Sequence, residues 1–198
     1  MKAHELLEKQ HRLVERLFER FENAKDKSEK TKLWEEIASN LVAHDAIERE
    51  IFYPACEREI DDENVLRESL VEHGVVEFCL FRADNHKSTD KLDSYVKVLK
   101  EVVLHHVEEE EKDLLPKAKR ELGDERLDAL GRIMEMRFAK ALASDFRKPL
   151  RQNLQEVLAG RTKTKPASPK PRSKPARKRT VSARRKKPRA RARASGQR

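Results

Sequence analysis

Apolar residues recur along the first 120 positions at intervals of three and four, the spacing that lays one stripe along an α-helix. Leu7, His11, Val14, Phe18 and Phe21 mark a first stripe and predict a helix over about 3–24. Ile37, Leu41, His44, Glu48, Ile51 and Ala55 mark a second over about 30–59. Leu66, Leu70, His73, Glu77 and Leu80 predict a third over about 64–86, and Leu92, Leu99, Val103, His106, Glu110 and Leu114 a fourth over about 89–121. The connections near 25–30, 60–64 and 86–90 are short, which favours antiparallel neighbours. The expected fold is therefore all-α, an up-and-down antiparallel four-helix bundle. A fifth amphipathic segment, about 125–147, carries Leu127, Leu130, Met134, Phe138 and Ala141. It has no recognisable chemistry and is available to pack on the bundle or on a second copy of the chain.

Histidine and glutamate interrupt these apolar stripes, and a charged Glu on a buried stripe needs a partner. Their positions repeat. A shift of 62 residues carries His11 onto His73, Glu15 onto Glu77, His44 onto His106, Glu48 onto Glu110 and Pro54 onto Pro116. Residues 1–120 thus read as two copies of one helical hairpin, each with two His-x-x-x-Glu pairs. Residues four apart on a helix lie one above the other, so an imidazole and a carboxylate at that spacing can aim at one metal or at two neighbouring ones. Eight such side chains in a twofold set suggest a dinuclear metal site. Imidazoles mixed with several carboxylates favour iron or manganese.

Any single His-x-x-x-Glu pair is weak evidence in a chain with 25 Glu, and His4 with Glu8 or His105 with Glu109 also fit. The shared offset and the buried stripes lift the set above chance. Glu15 lies one step off its stripe and is the least secure member. The offset selects His106 over His105, and from the run Glu108–Glu111 only Glu110 is expected to turn inward.

Charge divides the chain again. The net +9 separates into +17 for residues 161–198, which hold no Asp or Glu, and −8 for residues 1–160. The predicted organisation is a metal-binding bundle over 1–122, an additional helical segment over 123–160 and a basic arm over 161–198. The arm holds five of the eight prolines and no apolar rhythm, so it is expected to stay disordered. Phosphate neutralisation with counterion release is the partner chemistry it suits, giving sequence-independent binding to nucleic acid, DNA above all. The candidate contacts are Lys170, Arg172, Lys174, Arg177, Lys178, Arg179, Arg184, Arg185, Lys186, Lys187, Arg189, Arg191 and Arg193. The arm's Lys-Pro, Arg-Lys and Ala repeats resemble the tails of linker histones and bacterial histone-like proteins. Cys56 and Cys79 do not make a disulfide framework and are expected to be reduced thiols. With charge where a signal peptide needs an apolar run and no long apolar stretch, a cytoplasmic, nucleoid-associated protein without membrane contact is expected.

Four ordered segments carry a resemblance to the hemerythrin-like (HHE cation-binding) family: Glu8–Val14, His44–Pro54, Val71–His73 and His105–Glu111 running on to Pro116. The resemblance covers about residues 4–122. It implies a non-haem centre of two iron atoms inside a four-helix bundle, with His11, His44, Glu48, His73, His106 and Glu110 as ligands. Oxygen-carrying members place a fifth His one turn after the third-helix His, and this chain has Glu77 there. As a further inward ligand Glu77 would fill the open position and favour oxidised iron, which turns the expectation from oxygen transport to handling or sensing of oxygen, nitric oxide, peroxide or iron. Two other roles stay open: a protective enzyme that consumes peroxide or oxidises ferrous iron, and an architectural DNA-binding protein with a structural metal.

Overall fold

The computed structural model describes residues 1–60, 63–88 and 90–160, and among them there is no strand. The helices are α1 (Ala3–Asn23), α2 (Lys27–Ile47), α3 (Tyr53–Cys56), α4 (Glu63–Asp84), α5 (Leu92–Glu109), α6 (Leu115–Leu142) and α7 (Arg147–Leu158). A π-helical turn over Glu48–Phe52 joins α2 to α3, and a second over Glu110–Leu114 joins α5 to α6. Four rods therefore form the bundle: α1, the α2–α3 rod, α4, and the rod that runs from α5 into the first part of α6. α1 packs on α2, α4 on α5, and α6 on both α1 and α2. No helix among the described residues is long and apolar enough to cross a membrane.

Each rod buries the stripe expected of it. Leu7 and Phe18 are fully buried, as are Ile37, Leu99 and Leu114. The apolar core falls into two clusters. One gathers Val14, Phe18, Trp34, Ile37, Leu80 and Leu99, and the other gathers Leu7, Ile47, Phe52, Leu66, Leu114 and Leu127. The inward His and Glu lie in sequence at or near the switch from one cluster to the other on each rod. The two free cysteines are buried on opposite sides of this polar layer, Cys79 in the first cluster and Cys56 in the second.

The second rod starts at Lys27, earlier than the apolar spacing suggests, because Asp26 caps it. Its Oδ1 accepts from the backbone N–H groups of Ser28 and Glu29 at 2.8 and 2.9 Å, an arrangement that stabilises a helix by about 1 kcal/mol. The π turns have a cause in the repeat. Pro54 and Pro116 sit in the first turns of the helices that follow, and a proline leaves the carbonyl four residues upstream without its donor. The chain bonds one residue wider: the Tyr53 N–H donates to the Glu48 carbonyl and the Leu115 N–H to the Glu110 carbonyl. The extra residue shifts the buried stripe after Glu48. Phe52 and Tyr53 are fully buried, while Ile51, expected inside, is only half-buried.

Two further departures lie beyond the bundle. The segment from 123 to 160 is two helices rather than one, broken between Leu142 and Arg147. Gly123, with φ 70°, turns α6 at the end of the fourth rod in a conformation that glycine adopts at little cost. α7 packs on α4. Arg147 fastens its start, bonding Asp84 at 3.1 Å and also Glu35.

Candidate metal centre

The offset residues meet in the polar layer. One atom each from His11, His44, Glu48 and Glu110 lie within 4.8 Å of one another, and so do atoms from Glu48, His73 and His106. Glu48 belongs to both groups. His44 Nε2 lies 3.1 Å from Glu48 Oε1, His73 Nε2 lies 3.3 Å from Glu48 Oε2, and His11 Nε2 lies 3.3 Å from Glu110 Oε2. All six side chains are buried, Glu48 and Glu110 at 0% and 2% exposure.

The other nitrogen of each imidazole fixes its orientation. His11 Nδ1 is 2.8 Å from Glu111 Oε1, and His44 Nδ1 is 2.8 Å from Gln10 Oε1. His73 Nδ1 is 2.6 Å from Asp45 Oδ1, and His106 Nδ1 is 2.7 Å from Glu72 Oε2. These oxygens only accept, so in each ring Nδ1–H is the donor and Nε2 faces the cluster, where a neutral ring offers its lone pair. Such outer partners orient metal-binding histidines and raise their basicity.

Without a cation this arrangement is electrostatically frustrated. Burial and the neighbouring Glu110 push the Glu48 carboxyl well above its usual range. Burial acts to raise Glu110 too, but the adjacent His11, with the charges of His106 and His44, holds it below the usual range. Burial alone would lower His11, yet Glu110 and Glu111 outweigh it and raise the imidazole to about 9. Burial and the His11 charge lower His44 to about 3. Two buried carboxylates side by side do not ionise together unless a cation sits between them. Both oxygens of Glu48, Oε2 of Glu110 and Nε2 of His11 also lack hydrogen-bond partners, which buried polar atoms rarely do. A donor set of imidazole nitrogens and carboxylate oxygens, preformed and unsatisfied, fits one or two transition-metal ions of the iron or manganese kind.

Two of the expected acids lie elsewhere. Glu77, counted among the ligands from its place on the stripe, joins neither group. Arg49 Nη2 lies 3.2 Å from its Oε1, and Arg49 Nε also donates to Asp45 at 2.6 Å, so the guanidinium holds Glu77 away from the cluster. Burial, then the Asp45 charge, raises the Glu77 carboxyl to about 8. Glu15 points outward and pairs with Arg12 at 2.7 Å.

Other site residues were not expected. The π turn carries Tyr53 under Glu48, with its hydroxyl 3.1 Å from His73 Nε2 and 3.4 Å from Glu110 Oε1. The signal was present in Pro54, which widens the turn. Gln10, Asp45, Glu72 and Glu111 lie next to ligand positions in sequence or on the adjoining turn. Asn153 of α7 is the surprise: it donates to Asp45 Oδ2 at 2.9 Å and steadies the carboxylate that holds His73. Beside the cluster is a cavity of about 40 Å³ whose walls include Val14, Leu41, Leu80, Val103 and Leu150, with His11, His44, His73, His106 and Glu77 on the remaining side. That volume suits a diatomic or a few waters.

The candidate nucleic-acid contacts between Lys170 and Arg193 lie outside the described residues. Residues 2–118 match the hemerythrin HHE cation-binding domain. The fold is similar to that of a hemerythrin HHE cation-binding domain-containing protein from Mycobacterium kansasii, known from a crystal structure. The two share 23% identity over 78% of this chain and 99% of that one, with a TM-score of 0.67. No curated protein matches the chain. Hemerythrin HHE domains bind metal ions, typically iron, and by its match over more than half its length this chain belongs to the hemerythrin HHE cation-binding family.

Proposed function

We propose that the chain is a non-haem di-iron protein that senses or handles oxygen, nitric oxide, peroxide or iron, held on nucleic acid by its basic arm. The carrying observation is the pair of buried donor groups that share Glu48, in which both Glu48 oxygens, Glu110 Oε2 and His11 Nε2 have no hydrogen-bond partner. On this reading His11, His44 and Glu110 would hold one ion and His73 and His106 the other, with Glu48 able to serve both. Tyr53 stands beside the second group, its hydroxyl near His73 Nε2. When bound, the iron pair would supply a redox centre able to take up a small oxygen or nitrogen species. The chain's own part is to exclude bulk water with aliphatic walls, to hold the imidazoles in one tautomer through Nδ1, and to keep a proton at Glu77 on the cavity wall.

That proton gives the protective reading its support, because a wall carboxyl still protonated near pH 7 is placed to serve peroxide reduction. The basic arm supports tethering near DNA through its charge of +17. Elemental analysis and difference spectra under oxygen, nitric oxide and peroxide test the metal half. About two iron atoms per chain are expected, and absence of transition metal after iron-supplemented expression would overturn it. A gel shift at two salt concentrations tests the arm. Engaging about ten phosphates gives a log-log slope of roughly −9. Truncation after Gly160 should abolish binding without loss of iron, and retained DNA binding would move that site into the bundle.

A further inference from the structure

A second group of metal-ligating side chains lies outside the buried centre. Glu72, His105 and Glu109 bring one ligand atom each within 4.8 Å of one another. His105 Nε2 is 3.7 Å from Glu72 Oε1 and 3.4 Å from Glu109 Oε1. The side chains of His105 and Glu109 are 63% and 45% exposed, so an ion could reach them from solvent. Glu72 is also the residue that holds His106, so the outer trio abuts the inner site.

A cavity adjoins the trio at Glu109. Glu109 lines a solvent-open cavity of about 370 Å³ whose other walls include Glu68, Ser69 and Asp113, and whose lining also includes the buried Glu110. Glu110 is 2% exposed and its Oε2 has no hydrogen-bond partner. The lining carries four acids against one cation, Lys112, although Asp113 also pairs with Lys117 at 2.8 Å. This mouth is polar and larger than the aliphatic cavity on the histidine side, so the cluster is approached from two faces of opposite character. A hydrated divalent cation suits the acidic face, while an uncharged diatomic suits the aliphatic one.

We propose that Glu72, His105 and Glu109 form a docking site for a divalent transition-metal ion, and that the acidic cavity carries the ion from there to Glu110. The proposal rests on the buried cluster being a metal centre. One imidazole and two carboxylates make an incomplete, water-completed set, which binds such ions weakly and releases them. Electrostatic focusing in a cleft of one sign raises the arrival rate of the opposite charge by about tenfold or more.

The test uses the full chain stripped of metal. Mn²⁺ titration followed by the resonance of free Mn²⁺ counts rapidly exchanging sites, and anaerobic Fe²⁺ uptake with timed chelator quenching gives a loading rate. His105→Ala combined with Glu109→Gln should lose one exchangeable Mn²⁺ and slow iron uptake about tenfold, with unchanged final iron content. Glu108→Gln, the same charge change next door, should do neither, and His44→Ala should keep the exchangeable Mn²⁺ while losing buried iron. Mn²⁺ binding equal to the parent in the double variant overturns the docking site. Uptake no slower than in Glu108→Gln overturns the route. A parent chain that takes up no slowly exchanging iron overturns the buried centre and the route with it, and the Mn²⁺ titration still decides the trio.

Discussion

In the N-terminal hairpin His44 is held by the amide of Gln10; in the C-terminal hairpin, at positions 62 residues further on, His106 is held by the carboxylate of Glu72. The two bonds have the same place in the repeat and nearly the same length, but one support is neutral and the other anionic. The electrostatic result differs accordingly. His44 falls to about 3 through burial and the His11 charge, whereas His106 is raised because Glu72, then Glu110, overcome its burial. The remaining supports do not follow the repeat at all: Asp45 corresponds to Val107, and Glu111 to Arg49. Duplication thus keeps the side chains aimed at the centre alike, and the two halves differ in what stands behind them. Both imidazoles of the second group are backed by acids, those of Asp45 and Glu72, whereas His44 of the first group is backed by an amide. Acid-backed imidazoles are the stronger donors, so the two metal positions should be unequal.

The largest effect should come from the residue the halves share. Glu48→Ala removes a donor from both groups and should leave no bound iron, whereas Glu110→Ala should leave about one atom per chain. Elemental analysis distinguishes them, and equal losses would mean that Glu48 does not bridge. Metal-free Glu48→Ala should melt no lower than the metal-free parent, because the substitution removes an unsatisfied buried carboxylate. Saturating iron should stabilise the parent by about 3 kcal/mol at 100 times its Kd and the variant hardly at all.

Making the supports alike should narrow the inequality. Gln10→Glu gives His44 an anionic support and should tighten the first position, while Glu72→Gln should weaken the second, each by about tenfold to a hundredfold in metal affinity. Chelator competition measures both. Unchanged affinities in both variants would show that the neutral and anionic supports are equivalent.

The buried cluster was legible in the sequence because two independent regularities agreed on it: the helical stripe placed His11, His44, Glu48, His73, His106 and Glu110 inside, and the 62-residue offset paired them. Glu77 satisfied both regularities and still stands apart, since a stripe position says only that a side chain is inside and not what it meets there, in this case Arg49 at 3.2 Å. Ile51 was misplaced and Tyr53 overlooked for one reason, the π turn, whose cause was visible in Pro54 and Pro116. Asn153 was out of reach, because nothing in its own segment says that α7 folds back on α4.

Proton linkage is the next smaller effect. In the metal-free protein His11, raised to about 9 by Glu110 and Glu111 against its burial, holds a proton at pH 7. Metal needs its Nε2 unprotonated, so iron uptake at pH 7 should release about one proton from His11. The sign follows for affinity: it should fall as pH drops below 9, because protons compete at His11, and rise toward pH 9. An indicator-dye titration in weak buffer counts the protons. No release would mean that metal binds elsewhere. Gln10→Glu should add to the count, since an anionic support lets His44 take up a proton in the empty site.

The smallest change concerns the one side chain in the cluster that the repeat does not duplicate. Position 53 is Tyr and its counterpart is Leu115, buried in the apolar core. The phenol is pushed well above its usual range by burial and then by the Glu110 and Glu48 charges, so in the empty site it stays protonated and donates to Glu110. Tyr53→Phe keeps the ring packing and removes one buried hydrogen bond, a loss of about 1 kcal/mol. Iron content should hold at the parent's level, because Glu48, His73 and His106 all remain. If the hydroxyl reaches the second ion when metal is bound, the parent should show a visible absorption band absent from the variant, and the second position should become the more similar to the first. Identical spectra would leave Tyr53 as a hydrogen-bond donor only, and the inequality of the halves would then rest on Gln10 and Glu72 alone.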